Sequence, residues 1–150
     1  MENIFPFFIS GVYILLILGL ATILTYQGRG STENSRKFIH ILVGNWVFIT
    51  PMFTSLWAAS LIPFAFIIIN SLSIKFKLIK AMEREDDSLG TVFYAISLFV
   101  LVTLAYLLNW PLLSFIGILT MAYGDGLAAI VGKRWGKWKP FSIAPDKSFL

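Results

Sequence analysis

The sequence predicts an all-α, polytopic integral membrane protein: a single transmembrane domain of about five helices. Three observations lead there. Of the 150 residues, 57% are hydrophobic and only 13% are charged, where a soluble domain is about one-quarter charged. The apolar residues gather into runs close to the roughly 20 residues that a helix needs to cross a bilayer core. All twelve Lys and Arg residues fall in the segments between or after those runs. A disordered chain is excluded, because it would be poor in apolar residues and rich in charge.

Backbone amides in hydrocarbon must pair within their own segment, so each run is expected as a helix. The first covers residues 5–26 and has Pro6 in its first turn, a position that tolerates the missing N–H. Met1-Glu2-Asn3 lacks the basic region of a cleaved signal, so this run is expected as a retained span. Residues 38–52 form a shorter run that carries His40, Asn45 and Trp46. Residues 56–72 form a third, with Pro63 inside, and residues 89–108 a fourth. The fifth, residues 112–131, contains a single acid, Asp125.

Charge placement orients these spans. Arg29, Arg36 and Lys37 precede the second run. Lys75, Lys77, Lys80 and Arg84 lie between the third and fourth. Lys133, Arg134, Lys137, Lys139 and Lys147 follow the fifth. The connectors at 51–55 and 109–111 carry no charge. Basic segments stay in the cytoplasm, so the N-terminus is expected outside and the C-terminus cytoplasmic. The membrane is a cell inner membrane or an endomembrane. A net charge of +4 and a pI near 9.5 would suggest nucleic acid in a soluble protein. Here they suit anionic membrane lipids, at about 1 kcal/mol per basic residue near the surface, and no nucleic-acid partner is expected. With no cysteine, disulfides and thiolate metal sites are excluded.

Several polar residues stand out against this background. Arg36, His40 and Gly44 are four apart and share a helix face. His40 is the sole histidine, about one turn inside its span. It is either a functional group, or a residue anchored at headgroup level or bonded to a neighbouring helix. The segment Glu83-Arg84-Glu85-Asp86-Asp87-Ser88-Leu89-Gly90 places Glu83, Asp86 and Asp87 on one face of a helix. Such carboxylates repel unless a cation sits among them, and Mg²⁺ would serve. The alternative is a solvated acidic run that caps the fourth helix. In the fifth run Gly124, Ala128, Gly132 and Gly136 recur every four residues. Another helix can approach such a stripe closely, which also offers a route to a homo-oligomer. Packing does not account for Asp125. An acid at that depth costs about 2.5–3.5 kcal/mol on insertion scales and needs a cation, a polar network or a wet cleft.

Carboxylates, lysines, arginines and a histidine thus converge on one membrane face. With Mg²⁺ they form equipment for a nucleoside triphosphate, since phosphoryl chemistry relies on positioning and charge neutralisation. No G-x-x-x-x-G-K-[ST] loop occurs, so a different nucleotide cradle is required.

Four blocks carry a family resemblance: Arg36-Lys37-x-x-His40-x-x-x-Gly44; Asp87-Ser88-Leu89-Gly90-Thr91 with Tyr94; Gly124-Asp125-Gly126-x-Ala128-Ala129-x-x-Gly132-Lys133-x-x-Gly136; and Lys147-Ser148. In order and approximate spacing they resemble the polyprenol kinase family, which includes dolichol kinase, phytol kinase and CTP-dependent diacylglycerol kinase. The last two blocks also resemble CDP-diacylglycerol synthase, the phosphatidate cytidylyltransferase. The first block tilts the choice towards the kinases. The resemblance implies transfer of phosphate from CTP, or another nucleotide, to a lipid alcohol. It places Asp125 and the Gly126, Ala129, Gly132, Lys133 and Gly136 segment at the nucleotide and Mg²⁺. Lys147 and Ser148 would contact phosphate, and Arg36, Lys37 and His40 would line the same cleft. Asp87 would join Asp125 at the metal; Asp86 and Glu83 join them by helix geometry alone. Asp87 or Asp125 would orient the attacking hydroxyl, with His40 as the third choice. Cytidylyl transfer to phosphatidic acid and a non-enzymatic transporter or packing subunit are the alternatives. Family members usually continue the Lys-Ser pair with Glu-Gly-Ser/Thr and further spans. Here Lys147-Ser148 is followed by Phe149-Leu150, so an incomplete catalytic domain is expected.

Overall fold

The computed structural model of the chain describes residues 2–26, 32–76 and 89–135. Five α-helices and one 3₁₀ segment account for nearly all of them: α1 (Ile4–Tyr26), α2 (Thr32–Gly44), the 3₁₀ segment Asn45–Met52, α3 (Leu56–Phe76), α4 (Gly90–Leu107) and α5 (Pro111–Trp135). No strand occurs among the described residues. The stretches Leu56–Ser73, Gly90–Leu107 and Pro111–Ala128 are long and apolar enough to cross a membrane, and Ile4–Leu20 is a shorter apolar helix. This is an all-α membrane protein.

Large side chains such as Phe8, Leu15, Phe93 and Ile116 are exposed on the outer surface. Water would penalise that surface, whereas lipid does not. Trp57 and Trp110 are also exposed, at the same end of the bundle, as in the aromatic belts of membrane interfaces.

The helices run alternately up and down, and α2 packs against both α1 and α5, while α4 packs against α3 and α5. Ile39, Trp46 and Val47 fill the centre with Leu98, Val102, Ile118 and Ala122. Polar pairs tie the helices together inside. Trp46 Nε1 donates to Ser10 Oγ at 2.8 Å, and Ser60 and Thr103 hydroxyls meet at 3.0 Å. Interhelical bonds of this kind contribute about 0.6 kcal/mol each on average in membrane proteins.

The second run departs from a plain helix. α2 starts at Thr32, ahead of the apolar run, and gives way to 3₁₀ turns from Asn45. As an α-helix, residues 38–52 would reach only about 22 Å; with a 3₁₀ half they reach about 26 Å, nearer the ~30 Å bilayer core. Tyrosine hydroxyls stabilise this irregular end. Tyr13 donates to Leu42 O at 2.8 Å, and Tyr106 donates to Thr50 O and Phe53 O at 2.6 and 2.9 Å. Pro51 has no N–H to give, and the chain turns extended at Phe53.

The α4–α5 connection is a Schellman turn. Asn109 has φ 50°, its N–H bonds Tyr106 O at 3.2 Å, and Trp110 N–H bonds Ala105 O at 2.8 Å. Pro111 then opens α5 at the position where a missing N–H is harmless.

Within the chain, α5 packs through a different row from the glycine stripe. Gly124 and Ala128 are exposed, and a Cβ at Gly124 would meet nothing within 4 Å. The buried row is Ser114, Ile118, Ala122 and Gly126. Both rows repeat every four residues. They differ by a two-residue offset, which turns a helix by about 200° and so selects the opposite face. Gly132 lies further along α5, and Gly136 lies outside the described residues.

Candidate functional site

α2 and α5 cross closely because two glycines allow it. A Cβ on Gly44 would stand 2.4 Å from Ala122 Cβ and 3.0 Å from Tyr94 Oη. One on Gly126 would stand 2.5 Å from Ile41 Cγ1. The first clash is with a short, fixed methyl group, so Gly44 sets the approach more strictly than Gly126.

That crossing brings the ionic residues together. Lys37 Nζ of α2 donates to Asp125 Oδ2 of α5 at 2.6 Å. Such a short distance marks a charge-assisted bond. The two ends of the pair differ in surroundings: the Lys37 side chain is 9% exposed and that of Asp125 is 55% exposed. The ammonium is held inside the bundle, and the carboxylate presents outwards. His40, one turn along α2, places Nδ1 3.9 Å from the same Asp125 oxygen. The imidazole is buried against Tyr94 of α4, with ring centroids 4.2 Å apart. Tyr94 Oη also donates to His40 O at 2.7 Å, which fixes α4 to α2 at this level. Further along, Tyr123 Oη of α5 donates to Asn45 Oδ1 at 3.0 Å.

The structure therefore gathers Lys37, His40, Asp125 and Gly126, although 88 positions separate Lys37 from Asp125 in sequence. Arg36 precedes Lys37 on α2, and Ala129, Gly132 and Lys133 continue α5 beyond Gly126. Glu83, Asp86, Asp87, Gly136, Lys147 and Ser148 lie outside the described residues. Among the described residues no group of three or more His, Cys, Asp or Glu could hold a metal ion. Leu89, at the cap of α4, makes no side-chain cap bond. Tyr94 is the partner that charge and spacing did not single out as a site residue. Its signal was its place in the Gly90-Thr91-x-x-Tyr94 block, where a tyrosine among apolar residues needs a hydrogen-bond acceptor.

A buried lysine locked to an outward-facing aspartate, with a histidine beside both, offers a fixed positive charge and two groups able to take a proton. These features define an α-helical membrane protein with an ionic site built into one end of its bundle. No family profile matches the chain, and no solved structure does. Sequence relatives do match. The phytol kinase of Synechocystis sp. is 34% identical over 132 residues, covering 86% of this chain and 56% of that protein. The probable phytol kinase 1, chloroplastic, of Glycine max is 31% identical over 135 residues, covering 77% of this chain and 44% of that protein. The probable phytol kinase 3, chloroplastic, of the same plant is 31% identical over 165 residues, covering 99% and 50%. The chain belongs to the polyprenol and phytol kinase family. It spans about half the length of the curated relatives it matches.

Proposed function

We propose that this chain carries the phosphotransfer site of a membrane lipid-alcohol kinase, which moves the γ-phosphoryl group of CTP or another nucleotide to a polyprenol, a phytol-like alcohol or a diacylglycerol. The observation that carries this is the Lys37–Asp125–His40 cluster, at one end of an apolar bundle and drawn from the two motif blocks that carry the family resemblance. The names of the relatives favour a kinase over a cytidylyltransferase.

In the reaction the lipid hydroxyl oxygen bonds to the γ-phosphorus and the bond to the bridging oxygen of the nucleotide breaks. The hydroxyl proton passes to a nearby base, and the nucleoside diphosphate leaves. Asp125 and His40 stand within one small volume and are both suited to orient the hydroxyl and take that proton. Lys37 holds the carboxylate in place and adds a positive charge near the developing phosphoryl charge. Asp125 also fits Mg²⁺. It is one carboxylate, more than half exposed, and Mg²⁺ is commonly held by one or two carboxylates plus phosphates. When bound, the ion would neutralise phosphate charge. On this reading Glu83, Asp86 and Asp87 reach the same ion, and Gly126, Ala129, Gly132, Lys133, Gly136, Lys147 and Ser148 line the nucleotide. On this reading the site faces the cytoplasm, which the positive-inside rule supports, since Lys37 near the start of α2 and Lys75 at the end of α3 lie at the same end of the bundle.

The test is product analysis in nanodiscs with phytol, Mg²⁺ and CTP labelled separately in the γ-phosphate and the cytidine ring. Label from the γ-phosphate should reach lipid, and Asp125→Asn should lower the rate by at least about 100-fold, the lower bound for losing a positioned acid–base group. Unchanged turnover in that variant overturns the site. Transfer of cytidine label instead overturns the kinase reading.

A further inference from the structure

Asn70 is a buried polar residue that the cluster above does not use. It lies on α3, only 5% exposed, in a mainly apolar helix whose other polar residues are Ser60, Ser71, Ser73 and, in the last turn, Lys75. Its Nδ2 donates to Thr91 O of α4 at 3.1 Å. A backbone carbonyl only accepts, so this bond fixes which way the amide points. Oδ1 is then left buried with no hydrogen-bond partner. Buried acceptors without donors cost free energy, and the cost rises where no water can reach them. A site that retains one has a donor to receive.

Beside Asn70 is a cavity of about 20 Å³, large enough for one water-sized oxygen. α2, α3 and α4 wall it. Nearly all of the lining surface is apolar, with Ile39, Val43, Phe66, Ala95 and Leu98 around it, and the polar residues that border it are His40, Asn70, Thr91 and Tyr94. A buried water wants two to four polar partners. A primary alcohol wants few: its O–H donates once, and its carbon side needs hydrocarbon. The lining matches the alcohol better. The cavity also shares His40 with the ionic cluster, since His40 Nδ1 lies 3.9 Å from Asp125 Oδ2.

We infer that Asn70 is a positioning residue for the acceptor: Oδ1 accepts a hydrogen bond from the hydroxyl of the lipid alcohol and holds that oxygen beside His40. The isoprenoid or acyl chain extends from the cavity along apolar side chains. No bond is made or broken by Asn70 itself. This rests on the lipid-kinase reading for its purpose, but the binding event can be measured without any phosphate transfer.

The experiment compares phytol with phytane, the same hydrocarbon without the hydroxyl, as probes for thermal stabilisation of the full chain in detergent. A ligand that binds only the native state raises its stability. Phytol should stabilise and phytane should not. Asn70→Leu, close in volume and apolar, should weaken phytol binding by about tenfold, the effect of one hydrogen bond at the upper end of the usual range. In turnover the same variant should raise KM for phytol about tenfold, leaving KM for CTP unchanged. Ala95→Val narrows the cavity without touching a polar group and should weaken phytol in the same way, so the inference is testable even where Asn70→Leu fails to fold. Equal stabilisation by phytol and phytane, or unchanged phytol affinity in both variants, overturns it and leaves the cavity to a water. Hydroxyl-dependent binding that needs Asn70, without phosphoryl transfer from any nucleotide, overturns the kinase reading and keeps the pocket.

Discussion

Lys37 and Asp125 form a pair whose two ends are solvated unequally, and substitution should expose that asymmetry. Lys37→Met removes an ammonium held inside the bundle and leaves a carboxylate that is already more than half exposed. Its melting temperature in detergent should stay close to that of the parent, because an apolar replacement of a buried charge is often neutral or better. Asp125→Leu leaves the buried ammonium without its acceptor. That should cost about 1–3 kcal/mol, less than the ~3–5 of a fully buried pair because one end is wet. Equal melting temperatures for the two variants would contradict the geometry. At this scale the sequence was informative about identity and silent about partnership. Asp125 is conspicuous as an acid among apolar residues, and His40 as the sole histidine. That Lys37 reaches Asp125 depends on the rotation of α2 about its axis, which the order of residues along the chain does not reveal.

Helix contacts carry the next group of expectations. Gly44→Ala should force α2 from α5, since the added methyl would overlap Ala122. Overpacking of this kind costs about 1–3 kcal/mol, and a loss of thermal stability together with activity would show the ionic cluster drifting apart. Gly124→Ala is the matched control and should be silent for stability, because that position is open. At the α4–α5 turn, Asn109 sits at φ 50°. Asn109→Gly should be neutral or stabilising by a few tenths of a kcal/mol, while Asn109→Val should cost about 1–2 kcal/mol for forcing a β-branched residue into left-handed backbone. Denaturation in detergent reads both. Existence of the helices was legible from apolar runs, whereas the start of α2 at Thr32, ahead of its apolar run, and the change to 3₁₀ turns at Asn45 were not. Which small residues of α5 pack was not legible, because two rows of identical period lie on opposite faces.

At the scale of the whole molecule, the bundle should sit in the bilayer with its basic end in the cytoplasm. The chain lacks cysteine, so single cysteines introduced at Thr54 and Lys75 report orientation directly. Impermeant thiol reagents applied from outside should label position 54 and not position 75. Equal labelling of both, or the reverse pattern, would overturn the topology and the cytoplasmic placement of the site. What the sequence determined alone was the solvent, the helices and their membership of a kinase family. Apolar run length and ordered motif blocks are properties of neighbouring residues, and they survive without coordinates. The tertiary structure decided which faces meet: that Gly44 admits Ala122, that Lys37 closes on Asp125, and that Asn70 and His40 share a cavity. Those outcomes depend on helix rotation and crossing distance, which are set jointly by every side chain in the interface and by no single segment of the chain.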